Sequence, residues 1–130
     1  MRRRHLLQAV PLAVAGLHLA PLRAQPSAGF PDPARSIRWV VPFPAGGTSD
    51  IRARQVAEHL RQDAGWNVVV DNRPGASGMI GSDFVAKAPA DGYTLLLGTI
   101  GTLAINPAVF PSQPYNVLRD FQPVTQFSRS

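Results

Sequence analysis

Three short apolar runs, each passing at once into a glycine-rich stretch, constrain this chain more than any other feature. "IRWVV" (37–41) leads into "PFPAGGTSD", "NVVVD" (67–71) into "NRPGASG", and "YTLLLG" (93–98) into "TIGT". Between the first two runs Ala53, Val56, Ala57, Leu60 and Ala64 recur at helical spacing, with Arg and Gln opposite. Thr48 or Ser49 is placed to cap that helix, Asp50 suits its positive end, and Gly65 stops it. "MIGSDFVAKA" reads as a second helix with Ile80, Phe84 and Ala88 inward, and a weaker third spans Thr102 to Val109. "FQPVTQF" (121–127) reads as the start of a fourth strand. Strand, helix, strand, helix, strand predicts an α/β fold with a mostly parallel sheet and helical crossovers. The unalternated "VVV" and "LLL" suit strands covered on both faces. In such a sheet all three glycine-rich stretches fall at one edge, beyond the carboxyl ends of the strands, where ligands bind.

Charge has to be located before it is interpreted. The 130 residues carry a formal net charge of +5, a balance that by itself suggests nucleic acid or an anionic membrane. The opening "MRRRHLLQAVPLAVAGLHLAPLRAQP" has a basic start, an apolar stretch from Leu6 to about Leu22, and a small-residue cleavage site at Ala24. Residues 1–24 are therefore expected to be a secretory signal peptide. "RRRHLL" resembles a twin-arginine export signal. Pro11, Gly16, His18 and Pro21 make the same stretch a poor membrane anchor, so no stable insertion is expected after cleavage. Cleavage removes four arginines, leaving nine basic and eight acidic residues and a net charge of +1, and the nucleic-acid reading goes with them. Residues 25–36, rich in proline and small side chains, are expected to form a flexible lead-in, and 37–130 the folded part.

The motifs support binding better than catalysis. Gly46 and Gly47, followed by Thr48, Ser49 and Asp50, offer backbone N–H groups and hydroxyls at a helix start, an anion site by construction. The same residues also describe a tight strand-to-helix turn with a cap. "GASGMIG" spaces Gly75, Gly78 and Gly81 by three, unlike the dinucleotide fingerprint, and the one lysine, Lys87, follows alanine, which excludes a Walker loop. A turn with close helix packing accounts for it equally well. Asp50 can serve a ligand ammonium or hydroxyl, or the helix dipole, and can pair with Arg54 at i,i+4. Arg73 can reach an anion or stay solvated. His59 lies deep in the first helix and is expected to be exposed. Trp39 and Trp66 flank strands and read as packing residues. With no cysteine and no second histidine after cleavage, neither a zinc site nor a Ser-His-Asp set can be assembled. No cofactor, metal or catalytic residue is expected.

Taken together, "IRWVVPFPAGGTSDIRAR", "VVVDNRPGASGMIGSDFVAKAPADGYTLLLGT" and "NPAVF…PYNVLRDFQPVT" resemble the N-terminal part of the Bug family. These are periplasmic substrate-binding proteins associated with tripartite tricarboxylate transporters. The resemblance runs from about Ile37 to the last residues. It implies a type II periplasmic-binding-protein fold closing over a small carboxylate, with residues 37–130 forming the first part of ligand-binding lobe 1 and the chain stopping before the second lobe. Carried over position by position, it implies a carboxylate cradle at Phe43, Pro44, Ala45, Gly46, Gly47, Thr48 and Asp50. Ala76, Ser77, Gly78 and Thr99 would border the same cleft. The implied partners are a small carboxylate and the membrane subunits of a transporter. Asn116 stands where the family commonly has Asp in its "PYD" segment, at an expected turn. Family members are much longer, so one lobe is expected to bind at roughly millimolar affinity or not at all. Two other readings stand beside this one: a nucleotide- or phosphate-binding α/β enzyme fragment using "GASGMIG", and a degenerate remnant without activity.

Overall fold

The computed structural model describes residues 29–128. The expected signal peptide lies outside them. Three parallel strands, β1 (Ile37–Val41), β2 (Val68–Asn72) and β3 (Thr94–Leu96), form a sheet in the order β2-β1-β3. In register, Trp39 stands opposite Val70 on one side and Leu95 on the other. The run richest in fully buried residues thus takes the centre: Val40 and Val41 have no exposed surface.

Helix α1 (Thr48–Ala64) crosses from β1 to β2. Ala53 and Ala57 are small enough to lie close on the sheet, and Ala53 joins Trp39, Val41 and Leu97 in the core, with Val56, Val68, Val70 and Leu95 around it. Gly65 ends the helix in the left-handed conformation (φ 68°), its N–H bonded to the Leu60 carbonyl. The N-terminus differs from expectation. Gly47, not Thr48 or Ser49, holds the cap position, and no side chain caps from there. Thr48 and Ser49 lie inside the first turn, and Asp50 reaches back to the Gly46 N–H at 2.8 Å.

On the opposite face α2 (Met79–Ala86) packs against β1 and β3. Its buried residues are Gly81 and Ser82, whereas Ile80, expected inward, is 56% exposed. The glycine face wins because the helix rides directly on backbone, where a side chain as large as isoleucine has no room. The expected third helix divides into a π-helical turn (Gly101–Ile105) and a short α3 (Asn106–Val109), and α4 (Val117–Asp120) follows. Asn116 caps α4, its Oδ1 accepting the N–H groups of Leu118 and Arg119, both at 3.0 Å.

Three expectations about exposure and order change. Val69 is 49% exposed, because β2 is an edge strand covered on one face only. Residues 121–127 form no regular secondary structure and pair with no strand among the described residues; Phe127 instead sets its ring edge-on to Trp39, 5.6 Å between centroids. The part of the lead-in that is described is fastened. Phe30 packs edge-on against Trp66 and Tyr93, and Arg35 pairs with Asp91 at 2.7 Å while lying over the Tyr93 ring.

Gly81 offers a direct test of the α2 contact. A Cβ there would stand 2.9 Å from the Arg73 carbonyl oxygen and 2.9–3.0 Å from Pro42. Alanine gains about 1 kcal/mol of helix propensity over glycine, but overpacking against backbone costs about 1–3 kcal/mol. Gly81→Ala is expected to lower stability by about 1 kcal/mol net in urea unfolding; an increase would mean that α2 rides higher on the sheet.

Candidate functional site

All three strands point the same way, so the segments after Val41, Asn72 and Leu96 emerge at one edge of the sheet. They also touch. A Cβ on Gly78 would meet Thr102 Cγ2 at 2.7 Å and Pro42 Cβ at 3.4 Å, which puts one residue from each segment around a single point. The sequence-predicted residues therefore gather at one edge, with different individual roles.

The first loop, Pro42 to Gly47, is braced from below. Phe43 packs against the sheet core, and its carbonyl accepts Asn72 Nδ2 at 3.2 Å. Asn72 Oδ1 in turn accepts Arg54 at 3.0 Å, and Arg54 binds Asp50 through Nε at 3.1 Å. Asp50 is 4% exposed and lies beneath the loop, with one carboxylate oxygen shared by Arg54 and the Gly46 N–H. This ring of contacts fixes the loop's backbone and balances the buried acid with a guanidinium.

Above the brace the loop is open. Pro44, Ala45, Gly46, Gly47 and Thr48 are exposed. Gly46 has φ +82°, and a Cβ placed on it would meet nothing within 4 Å. Among the described residues, none of the N–H groups of Thr48, Ser49 and Asp50 has an acceptor; the first helical bond is Ile51 N–H to the Gly47 carbonyl. These free donors cap a 17-residue helix, whose aligned peptide dipoles place roughly half a positive charge at that end.

The second loop turns through four successive positive φ values: Gly75 at 122°, Ala76 at 47°, Ser77 at 56° and Gly78 at 86°. For the alanine and serine this costs about 1–2 kcal/mol each. The glycines here serve packing. Cβ atoms on Gly75, Gly78 and Gly81 would all run into protein atoms, at 2.6, 2.7 and 2.9 Å, so close packing accounts for the glycines of "GASGMIG". In the third segment the Thr99 hydroxyl accepts the Thr102 N–H at 3.3 Å, and Thr102 Oγ1 accepts the Thr99 N–H at 3.0 Å. Thr102, Asn106 and Tyr115 are buried here, and the last two were not singled out in the sequence as site residues. Asn106 and Tyr115 find their partners, the Ser77 and Thr102 carbonyls, 29 and 13 residues away, beyond the reach of any local pattern.

Two candidates fall away from the edge. Arg73 binds Asp71 at 2.9 Å and stacks 3.6 Å over the Phe84 ring, so it is engaged rather than reaching for an anion. His59 is exposed on α1. A separate groove of about 600 Å³ runs between Leu103, Pro107, Phe110, Tyr115 and Leu118 and includes none of the loop residues above. Among the described residues no group of acidic or histidine side chains could hold a metal, and no helix is long and apolar enough to cross a membrane.

Residues 52–130 match the model of the tripartite tricarboxylate transporter family receptor. The chain belongs to that family. It is 47% identical over 116 residues to the protein BugT of Bordetella pertussis, spanning 88% of this chain and 36% of BugT. Among solved structures it is similar to a periplasmic transporter (48% identity, TM-score 0.69, 73% of this chain and 32% of that one). It is also similar to an R. palustris protein solved with adipate (45%, 0.62, 66% and 29%). The third, MatC from Rhodopseudomonas palustris with bound malate, gives 37%, 0.66, 71% and 31%. The fold is thus a parallel α/β lobe of the periplasmic-binding-protein kind, and the chain spans about a third of the length of these relatives.

The brace under the first loop predicts a pH dependence. Hydrogen bonds from Arg54 and then from the Gly46 N–H lower the Asp50 carboxyl from an ordinary 3.8 to about 2. Between those values the unfolded chain binds the proton that the folded chain refuses, so stability falls as pH drops from about 4 towards 2. Asp50→Asn is expected to be less stable than the parent at pH 7 and to lose less on acidification over that window in thermal melts. Parallel curves for the two proteins would mean that the carboxylate is not held by these partners.

Proposed function

We propose that the chain belongs to an exported substrate-binding protein that holds a small carboxylate and delivers it to a tripartite membrane transporter. The observation that carries this reading is the set of unpaired N–H groups at Thr48, Ser49 and Asp50, set behind the open Gly46–Gly47 backbone at the start of α1. A carboxylate matches that geometry: its two oxygens can accept several N–H bonds at once, and the helix dipole stabilises its charge without an arginine. Solved relatives of the same fold carry adipate and malate, both dicarboxylates.

In this reading Pro44 to Thr48 form the cradle, while Phe43 and Asp50 fix it from beneath. Ala76, Ser77, Gly78 and Thr99 border the ligand from the adjoining strand ends. The role is binding, not catalysis, and the place of work is the periplasm, reached through the signal peptide expected at residues 1–24. Closure of a second lobe, as in two-lobed binding proteins, would supply the remaining contacts and exclude water.

The test is a thermal melt of the purified chain with malate or adipate, against sodium chloride of equal ionic strength. If one of them binds with a Kd of roughly 1 mM, 10 mM ligand stabilises by about 1.4 kcal/mol and raises the Tm by roughly 5 °C. Gly46→Val is expected to abolish the rise, because a β-branched residue cannot follow φ +82° and would cover the N–H groups. A ligand-blind melt for the parent, or an equal rise in the variant, would overturn the assignment of the loop.

A further inference from the structure

Asn106 is one of the few polar side chains removed from solvent, 3% exposed. Its Nδ2 donates to the Ser77 carbonyl at 3.0 Å, across 29 residues of sequence. That carbonyl belongs to the turn with four successive positive φ values, two of them on alanine and serine. Within the turn the Gly78 N–H bonds the Gly75 carbonyl at 2.9 Å. Among the described residues, the amide of Asn106 is the one side chain that hydrogen-bonds the turn's backbone from elsewhere.

Asn106 is itself held. Its own N–H closes the π-helical turn on the Gly101 carbonyl. One turn earlier Thr102 is fully buried, and its carbonyl accepts the Tyr115 hydroxyl at 2.8 Å. Thr102 Cγ2 lies where a side chain on Gly78 would go. The π turn therefore touches the strained loop at two points, by an amide at Ser77 and by a methyl group at Gly78. π turns are rare and concentrate where local geometry serves a site.

We propose that Asn106 is a positioning residue: its amide keeps Ala76 and Ser77 in the left-handed turn that presents them at the sheet edge. This rests on the carboxylate reading above for its purpose, but not for its test. Without the amide, two non-glycine residues would relax towards ordinary φ values, and the second loop would lose its fixed place beside the first.

The experiment is amide hydrogen exchange by NMR on the purified chain, with malate melts alongside. Asn106→Asp keeps the size of the side chain and removes the donor. It is expected to speed exchange of the Gly78 amide about tenfold while leaving the sheet amides of Val40 and Val70 unchanged. Any malate-induced rise in Tm should shrink with it. Adding Ser77→Gly, which removes one left-handed penalty, should restore part of the Gly78 protection. Unchanged Gly78 exchange would overturn the proposal, and so would equal acceleration of Val40 and Val70, since Asn106 would then hold the whole fold. If Asn106→Asp does not fold, Tyr115→Phe decides. It loosens the anchor through Thr102 and should speed Gly78 exchange about threefold with Val40 unchanged; no change at Gly78 overturns the proposal. A parent that ignores malate but shows the Gly78 effect would sink the carboxylate reading and keep Asn106 as the holder of the turn.

Discussion

Pro42 is fully buried, and the segments that meet at the sheet edge pack around it. A methyl group on Gly81 of α2 would collide with the proline at 2.9 Å, and one on Gly78 of the second loop would touch it at 3.4 Å while colliding with Thr102 Cγ2 at 2.7 Å. Proline suits this point because it follows the last residue of β1, where the ladder ends and a missing N–H costs little. Its ring gives α2 a rigid seat at backbone distance. Once α2 is seated there, the left-handed turn before it and the π turn beside it have little freedom left. The glycines of the second loop answer to the crowding that follows, Gly75 against Ile80 and Gly78 against Thr102.

The first loop is governed by a different physics. Its floor is an acid, a guanidinium and a carboxamide linked in series, Asp50 to Arg54 to Asn72, with Phe43 and Gly46 tied on through backbone groups. A buried carboxylate next to a loop proposed to hold an anion would be self-defeating if it stood alone. Arg54 neutralises it, and the Gly46 N–H turns it into a support. Glycine here has the opposite meaning from glycine at 78: nothing occupies the space where a side chain would be.

Much of this was legible in the residues. Short apolar runs before glycine-rich segments gave the strand positions, and the Ala53, Val56, Ala57, Leu60 spacing gave the face of α1 that packs on the sheet. The family followed from three motifs in order. What escaped had a common cause, which is that the deciding partner was distant or the competition was close. Thr48 and Ser49 are good caps by type, but the helix begins a residue earlier, with Gly47 at the cap position and both hydroxyls inside the first turn. Ile80 fits an inward helical position by hydrophobicity, and the backbone-tight seat of Gly81 excluded it. "FQPVTQF" has strand composition but finds no partner among the described residues, and Phe127 packs on Trp39 instead. Nothing near Asn106 in sequence announces Ser77, because a contact across 29 residues follows no periodicity.

The neutral floor of the first loop has a kinetic side. A net charge reaches over a Debye length and draws ions in from solution, whereas the field of aligned peptide dipoles fades within the first helical turn. With Asp50 and Arg54 cancelling each other, an anion would feel this loop only on arrival. Capture there would proceed without long-range steering, would depend little on ionic strength, and would sort ligands by where their oxygens fall rather than by how much charge they carry.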